Sequence, residues 1–177
     1  MGILAEQLDP VTIRAQSPDK TVRASLTYHE GLLVRIKPGT IATSTPASLA
    51  EQIAETINRA LRGFRTAGQT IFEREHGEAE LERLRATAEG RALRPYLDAL
   101  ADLSAEATGA RGTVTVVWKS NTCSVTVHEH AMFASETAVS EDINDAVTLA
   151  QAKYTVEAAR LHSTLVEPHE RRHGADT

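Results

Sequence analysis

The chain has 177 residues, of which 41% are hydrophobic and only 4% aromatic, so a core must be built mainly from Val, Ile, Leu and Ala. The net charge of -5 argues against a general nucleic-acid binder, although it leaves room for a local basic patch. The single cysteine excludes an internal disulfide framework, and no apolar run approaches the roughly 20 residues of a membrane span.

The beginning of the chain predicts a small antiparallel sheet. Residues 1–8 have neither the basic segment nor the hydrophobic stretch of a secretory signal, so we expect a cytoplasmic protein. Apolar and polar side chains then alternate, which predicts strands over residues 10–16, 22–28 and 32–37. Turn residues separate them, and Gly31 permits a positive φ. The result is a three-stranded meander with one apolar face.

A long amphipathic helix is predicted after the meander. Its N-terminus is either Thr45 followed by Pro46 or a capping box of Ser48 and Glu51, and both starts remain open. From Leu49 to Ile71 the apolar residues fall in one stripe at the helical period. The helix can therefore cover the apolar face of the meander.

The second half begins with a helical pattern over residues 78–107, which Gly90 and Pro95 interrupt. We predict two helices there, or one kinked helix. Alternation over residues 113–128 then predicts a second antiparallel pair of strands. Ser140 is the predicted N-cap of a last helix that runs to about residue 166.

The strand–helix pattern occurs twice, and the two long helices align without gaps. Leu49, Ile53, Ile57, Ala60, Phe64, Gly68 and Ile71 match Val139, Ile143, Val147, Ala150, Tyr154, Ala158 and Leu161. We predict an α+β fold of two β-meander-plus-helix units related by pseudo-symmetry, with antiparallel sheets covered by long helices. The predicted boundaries are 1–77 for the first unit, 78–110 for a helical connector, 111–167 for the second unit and 168–177 for a disordered tail.

Two histidine pairs are candidate metal ligands. His128 and His130 share one side of a predicted strand, but a zinc site needs a third ligand and usually a fourth. His169, Glu170 and His173 formally match H-E-x-x-H, yet they lie beyond a proline at the end of the chain and no third ligand follows. We favour a polar strand end and a solvated tail, and predict no metal site and no cofactor.

No catalytic constellation stands out in the sequence. Cys123 would need a base held beside it to act as a nucleophile, and nothing assigns that role. There is no Gly-rich phosphate loop and no recognisable Ser-His-Asp pattern. We therefore predict a protein without enzymatic activity.

Positive charge is concentrated in the first unit. The residues predicted to project outward from its strands and helix are Arg14, Arg23, Arg35, Lys37, Arg59, Arg62 and Arg65, with Lys20 in a turn. The second unit keeps only Lys119 at a comparable strand position. Such a face binds phosphates or an acidic protein surface, whereas the plainer interpretation is a solvated exterior.

The segment from Thr21 to Ala60 resembles the YbaB/EbfC nucleoid-associated family. Both read as alternating strands, a Gly turn, a Val/Ile-rich strand, a short polar loop and a Leu…Ile…Ile…Ala helix. The segment from Leu103 to Val116 resembles the family's junction between its first helix and first main strand. Family members usually have one such unit that dimerises, so this chain looks like two units fused, acting as a homodimer or an intrachain pseudo-dimer.

The resemblance implies a cytoplasmic, nucleoid-associated protein that binds DNA through backbone phosphates without strong sequence preference. The seven outward basic residues of the first unit are then the predicted DNA contacts. Some actinobacterial relatives accompany type VII secretion systems. This leaves a protein-interaction adaptor or chaperone of such a system as the alternative function.

Overall fold

The computed structural model describes residues 8–76, 94–120 and 122–165. One antiparallel sheet contains β1 (Thr12–Gln16), β2 (Val22–Thr27) and β3 (Gly31–Ile36); a second contains β4 (Ser104–Thr108), β5 (Val114–Lys119) and β6 (Thr122–Val127). The α-helices are α1 (Pro46–His76), α2 (Arg94–Asp102) and α3 (Glu136–Leu165). Short 3₁₀ helices at Ile41–Thr43 and Glu129–Phe133 precede α1 and α3. The predicted α+β class with two antiparallel sheets is confirmed.

The turns that join the first two strands of each sheet have the same hydrogen-bond pattern. Ser17 and Gly109 each donate their N–H to the carbonyl five residues later, at 2.9 and 3.0 Å. Each also accepts a bond from the N–H three residues later, which belongs to Lys20 or Gly112. Those two residues have positive φ values of 63° and 71°. The repetition of this pattern supports an arrangement of two similar units.

Both long helices begin with the same cap. The hydroxyls of Thr45 and Ser135 each accept a hydrogen bond from the N–H three residues later, at 3.2 Å. Helix α1 therefore begins at Pro46, the earlier of its two predicted starts. The prediction that Ser140 caps α3 is wrong, because Ser140 lies one turn inside the helix and donates its hydroxyl to the carbonyl of Glu136.

Strand β4 corrects the predicted secondary structure between the units. The sequence pattern predicts helix up to residue 107, whereas Ser104–Thr108 pair with β5. Ala and Glu favour helix locally, but Ala105 and Ala107 are buried on alternate positions and tertiary pairing overrides their propensity. The second sheet thus has three strands, like the first. The remaining connector, 77–93, and the predicted tail, 168–177, lie outside the described residues.

Each long helix packs on its own sheet and on the edge strand of the other sheet. Helix α1 contacts β1, β2 and β6, and α3 contacts β4, β5 and β3. Asn144 of α3 accepts the N–H of Val34 at 2.7 Å and donates to its carbonyl at 3.2 Å. Asn58 of α1 makes the same pair of bonds with Cys123, both at 2.8 Å. Because buried residues of both units form one cluster, the two units share a single core.

The first half of each predicted apolar stripe is buried in that core, whereas Phe64, Ile71 and Tyr154 further along the helices are only partly buried. The buried residues on these stripes are Leu49, Ile53, Ile57 and Ala60 on α1 and Val139, Ile143, Val147 and Ala150 on α3. They face the inward side chains of the strands, such as Val22 and Val34 of the first sheet and Val114 and Val116 of the second. The other face of each sheet is therefore left outward.

A buried carboxylate, Asp142, ties α3 to the turn between β4 and β5. It accepts four hydrogen bonds of 2.6–3.0 Å from that turn, two of them from Thr113. Burial alone raises the pKa of Asp142, but these hydrogen bonds outweigh it and hold the pKa below its ordinary value. The equivalent position in the first unit has an uncharged side chain, since Gln52 replaces the aspartate and its amide lies 2.8 Å from the Thr21 hydroxyl.

Candidate anion-binding face

Three arginines converge on the outward face of the first sheet. Arg14, Arg23 and Arg35 occupy alternate, exposed positions of β1, β2 and β3. The register places Arg23 directly opposite Arg35, and Arg14 opposite Ser25. Side chains that are opposite or diagonal in an antiparallel pair lie about 5–8 Å apart. One anionic chain can therefore contact all three guanidinium groups.

The pairing of Arg23 with Arg35 carries an electrostatic cost. Like charges directly opposite each other destabilise a sheet, by up to about 1 kcal/mol. None of the residues that β1–β3 direct outward is acidic, so no carboxylate on this face offsets the repulsion. Natural proteins keep unfavourable side-chain pairs of this kind mainly at functional sites, so the pair of Arg23 and Arg35 marks this face as a candidate site.

The three arginines line an open groove of about 990 Å³, to which two further basic residues contribute. Lys20 enters from the turn between β1 and β2, and Arg59 enters from α1. Ser25 and Leu33 also line it. We call this feature the arginine groove and define it by its basic residues, which are Arg14, Lys20, Arg23, Arg35 and Arg59.

Arg59 is held in place, whereas the other four cations are unpaired. The Arg59 guanidinium donates to the carbonyl of Gln16 at 2.9 Å and forms an ion pair with Glu55 at 2.5 Å. Within the described ranges, no ion pair or side-chain hydrogen bond engages Arg14, Lys20, Arg23 or Arg35. Their charges are therefore available to an anionic ligand.

The turn at the rim of the groove is fixed by its own side chains. Ser17 donates its hydroxyl to Asp19 at 2.5 Å, and the N–H of Thr21 donates to the same carboxylate at 3.1 Å. The hydrogen bond from Ser17, followed by those from Thr21, lowers the pKa of Asp19. Asp19 is thus engaged within the turn, and the turn presents Lys20 to the groove.

The structure brings four of the seven predicted contacts together. Arg14, Arg23, Arg35 and Arg59 line the groove, whereas Lys37, Arg62 and Arg65 are exposed but lie outside its lining. Lys37 follows the end of β3, and the other two lie three and six residues beyond Arg59 along α1. Sequence reasoning missed Glu55 as the partner of Arg59, although the i, i+4 spacing of the pair is a signal for it.

The two histidines after β6 do not share a strand, so that part of the prediction is wrong. His130 lies in the 3₁₀ helix Glu129–Phe133, because the chain leaves the sheet there to reach the start of α3. The rings of His128 and His130 stack with centroids 5.9 Å apart, and His128 Nε2 lies 2.9 Å from the Thr115 hydroxyl. His169 and His173 are outside the described residues.

Neither a metal centre nor a reactive thiol is evident in the described part of the chain. Over these residues, no group of three or more His, Cys, Asp or Glu side chains is arranged to hold a metal ion. Cys123 is buried, and burial raises the pKa of its thiol to about 12. The thiol is therefore protonated at neutral pH and a poor nucleophile.

No model of a known protein family matches the chain, and no curated protein or solved structure shows significant similarity to it. Among the helices within the described ranges, none combines the length and the apolar character that crossing a membrane requires. The arginine groove is accordingly interpreted from its own geometry and charge.

Proposed function

We propose that the protein is a non-enzymatic, nucleoid-associated DNA-binding protein of the YbaB/EbfC type, whose arginine groove contacts backbone phosphates. The observation that carries this proposal is a cluster of four cations that have no partner among the described residues, three of them on a sheet face whose outward strand residues include no carboxylate and one, Lys20, at its rim. Arginine guanidinium groups bind phosphate oxygens in a bidentate manner, and the arrangement of Arg23 opposite Arg35 suits two such contacts.

The groove favours phosphate contacts over base recognition. Its arginines project from a sheet of three strands, and each strand of duplex DNA carries a phosphate every 3.4 Å or so along its axis. Side chains about 5–8 Å apart can therefore contact neighbouring phosphates along one strand. Phosphate contacts position a protein on DNA without reading sequence, so we expect binding with little sequence preference.

The acidic remainder of the molecule restricts where DNA can bind. Because the chain carries a net charge of -5, attraction of a duplex depends on the local charge of the arginine groove. Four to five phosphate contacts predict a slope of about -4 for the logarithm of the association constant against the logarithm of salt concentration. A fluorescence anisotropy titration of a labelled duplex between about 50 and 200 mM salt measures this slope.

Charge reversal within and outside the groove tests the assignment. The variant Arg23→Glu with Arg35→Glu should lose at least tenfold in affinity, because two contacts become repulsive. The control Arg62→Glu with Arg65→Glu has the same change in net charge outside the groove and should lose less than threefold. Absence of binding at low salt would refute the proposal, and so would an equal loss in the two variants.

A second function uses the same face. Leu33 is 40% exposed and lines the groove among the arginines, which favours an acidic protein surface with an apolar anchor as the ligand of an adaptor or secretion chaperone. Pull-down from the native cytoplasm separates the two functions. A stoichiometric protein partner that survives nuclease treatment, and is lost in the Arg23→Glu, Arg35→Glu variant, would support the adaptor.

A further inference from the structure

The outward faces of the two sheets differ at each position that defines the arginine groove. The repeated turn and strand pairings make Glu106, Thr115 and Thr126 the counterparts of the three strand arginines. In particular, Thr115 lies opposite Thr126 just as Arg23 lies opposite Arg35. The helix alignment makes Leu149 the counterpart of Arg59.

The second outward face is neutral or acidic where the first is basic. The hydroxyls of Thr108 and Thr115 lie 3.0 Å apart, and Thr115 also contacts His128, so these side chains engage one another. Glu106 contributes a carboxylate at the position that corresponds to Arg14. Lys119 is the single Lys or Arg that β4–β6 direct outward, and Lys153 of α3 donates to the carbonyl of Glu106 at 2.8 Å. This face therefore has two cations beside one carboxylate, whereas the arginine groove has five basic residues, and its attraction for phosphate is weaker.

The second unit does contribute to the groove, but as its support. Helix α3 contacts β3, the strand that carries Arg35. Asn144 holds the backbone of Val34, and the hydroxyl of Ser140 accepts the N–H of Ile36 at 3.0 Å. The residues on both sides of Arg35 are therefore anchored to the second unit.

We propose that each chain binds a single DNA segment through its first unit, while the second unit positions β3 and contacts no phosphate. This inference rests on the proposed function and specifies the valency of its site. Two symmetric arginine grooves in one chain would hold two duplexes together, whereas a single groove per chain binds one duplex.

A two-duplex capture assay tests this valency. One duplex is immobilised, the protein is bound at low salt, and a second, fluorescent duplex is added after washing. We expect a single wild-type chain to be retained on the first duplex and to capture no second duplex above background. The mass of the complex with a short duplex, measured by light scattering, should correspond to one chain per binding site.

A gain-of-function variant makes the test sharper. Glu106→Arg with Thr126→Arg places two arginines on the second face and should raise capture of the second duplex at least tenfold. The matched control is Thr155→Arg with Glu157→Arg, which adds the same charge at exposed positions further along α3 and should stay near background.

The possible outcomes are distinct. Failure of the protein to bind the first duplex refutes the proposed function itself. Capture of the second duplex by a wild-type complex whose mass corresponds to one chain overturns only the single-segment inference, whereas capture by a complex of two chains keeps one duplex per chain and supports it. Equal capture by the variant and its control also overturns it, because general charge rather than the second face would then decide valency. Circular dichroism confirms that each variant is folded.

Discussion

Replacing Asn144 with leucine should destabilise the protein by about 2–6 kcal/mol. The substitution removes both hydrogen bonds to the backbone of Val34 and leaves an N–H and a carbonyl without partners. Val34 is 0% exposed, so solvent cannot replace the lost amide. A buried, unsatisfied polar group costs about 1–3 kcal/mol, and two such groups give the stated range.

Urea denaturation measures this loss with two probes. Trp118 is the single tryptophan and is buried in the second unit, whereas the damaged contact involves β3 of the first. Because the two units share one core, fluorescence and far-ultraviolet circular dichroism should give the same shifted midpoint. The control Asp145→Leu changes an exposed neighbour on α3 and should stay within about 0.5 kcal/mol of the wild type.

Two results would refute this reasoning. A loss below about 0.5 kcal/mol would mean that the Asn144 amide does not stabilise the edge of β3. A fluorescence transition that separates from the circular dichroism transition would mean that the units unfold independently. Asn58→Leu, which removes the corresponding bonds to Cys123, should behave in the same way as Asn144→Leu.

Three further outcomes follow from contacts at the turns and in the core. The pKa of Asp142 in the folded protein is below its ordinary value of 3.8. Its contribution to the free energy of unfolding is therefore complete above pH 3.8 and is lost as the pH falls through the folded pKa. The urea midpoint of the wild type should exceed that of Asp142→Asn at neutral pH, and this difference should shrink as the pH falls through that range. Gly109→Ala should cost more in unfolding free energy than Gly112→Ala, because a Cβ at Gly109 would lie 2.3 Å from the Asp142 carbonyl oxygen, whereas Gly112 has open space and a φ of +71°. Alkylation of native Cys123 at pH 8 should be about a thousandfold slower than in urea, since burial raises its thiol pKa to about 12.

A specific result would contradict each of these three predictions. A constant difference between wild type and Asp142→Asn from pH 7 to pH 2.5 would show that the carboxylate is not the titrating group. A smaller loss for Gly109→Ala than for Gly112→Ala would show that the α3 contact is not close. Rapid alkylation of Cys123 in the native protein would show that β6 opens readily.

Periodicity determined much of this fold, because it records which side of each element is buried. The alternation in residues 10–37 predicted β1, β2 and β3, and the stripe from Leu49 to Ile71 predicted the inward side of α1, which is fully buried as far as Ala60. The same logic predicted that Arg14, Arg23 and Arg35 project outward. These inferences need only the spacing at which apolar residues recur along the sequence and the polarity of the side chains between them.

The tertiary structure alone decided what each buried side packs against. Nothing in the local pattern of Ser104–Thr108 distinguishes a strand from a helix, and only pairing with β5 settles it. Asn144 and Val34 are 110 positions apart, so the bond that joins the units has no local signature. The same holds for the arginine groove: outward projection is a local property, but convergence depends on strand register and on the path of α1, which together bring Arg59 in and leave Arg62 and Arg65 outside.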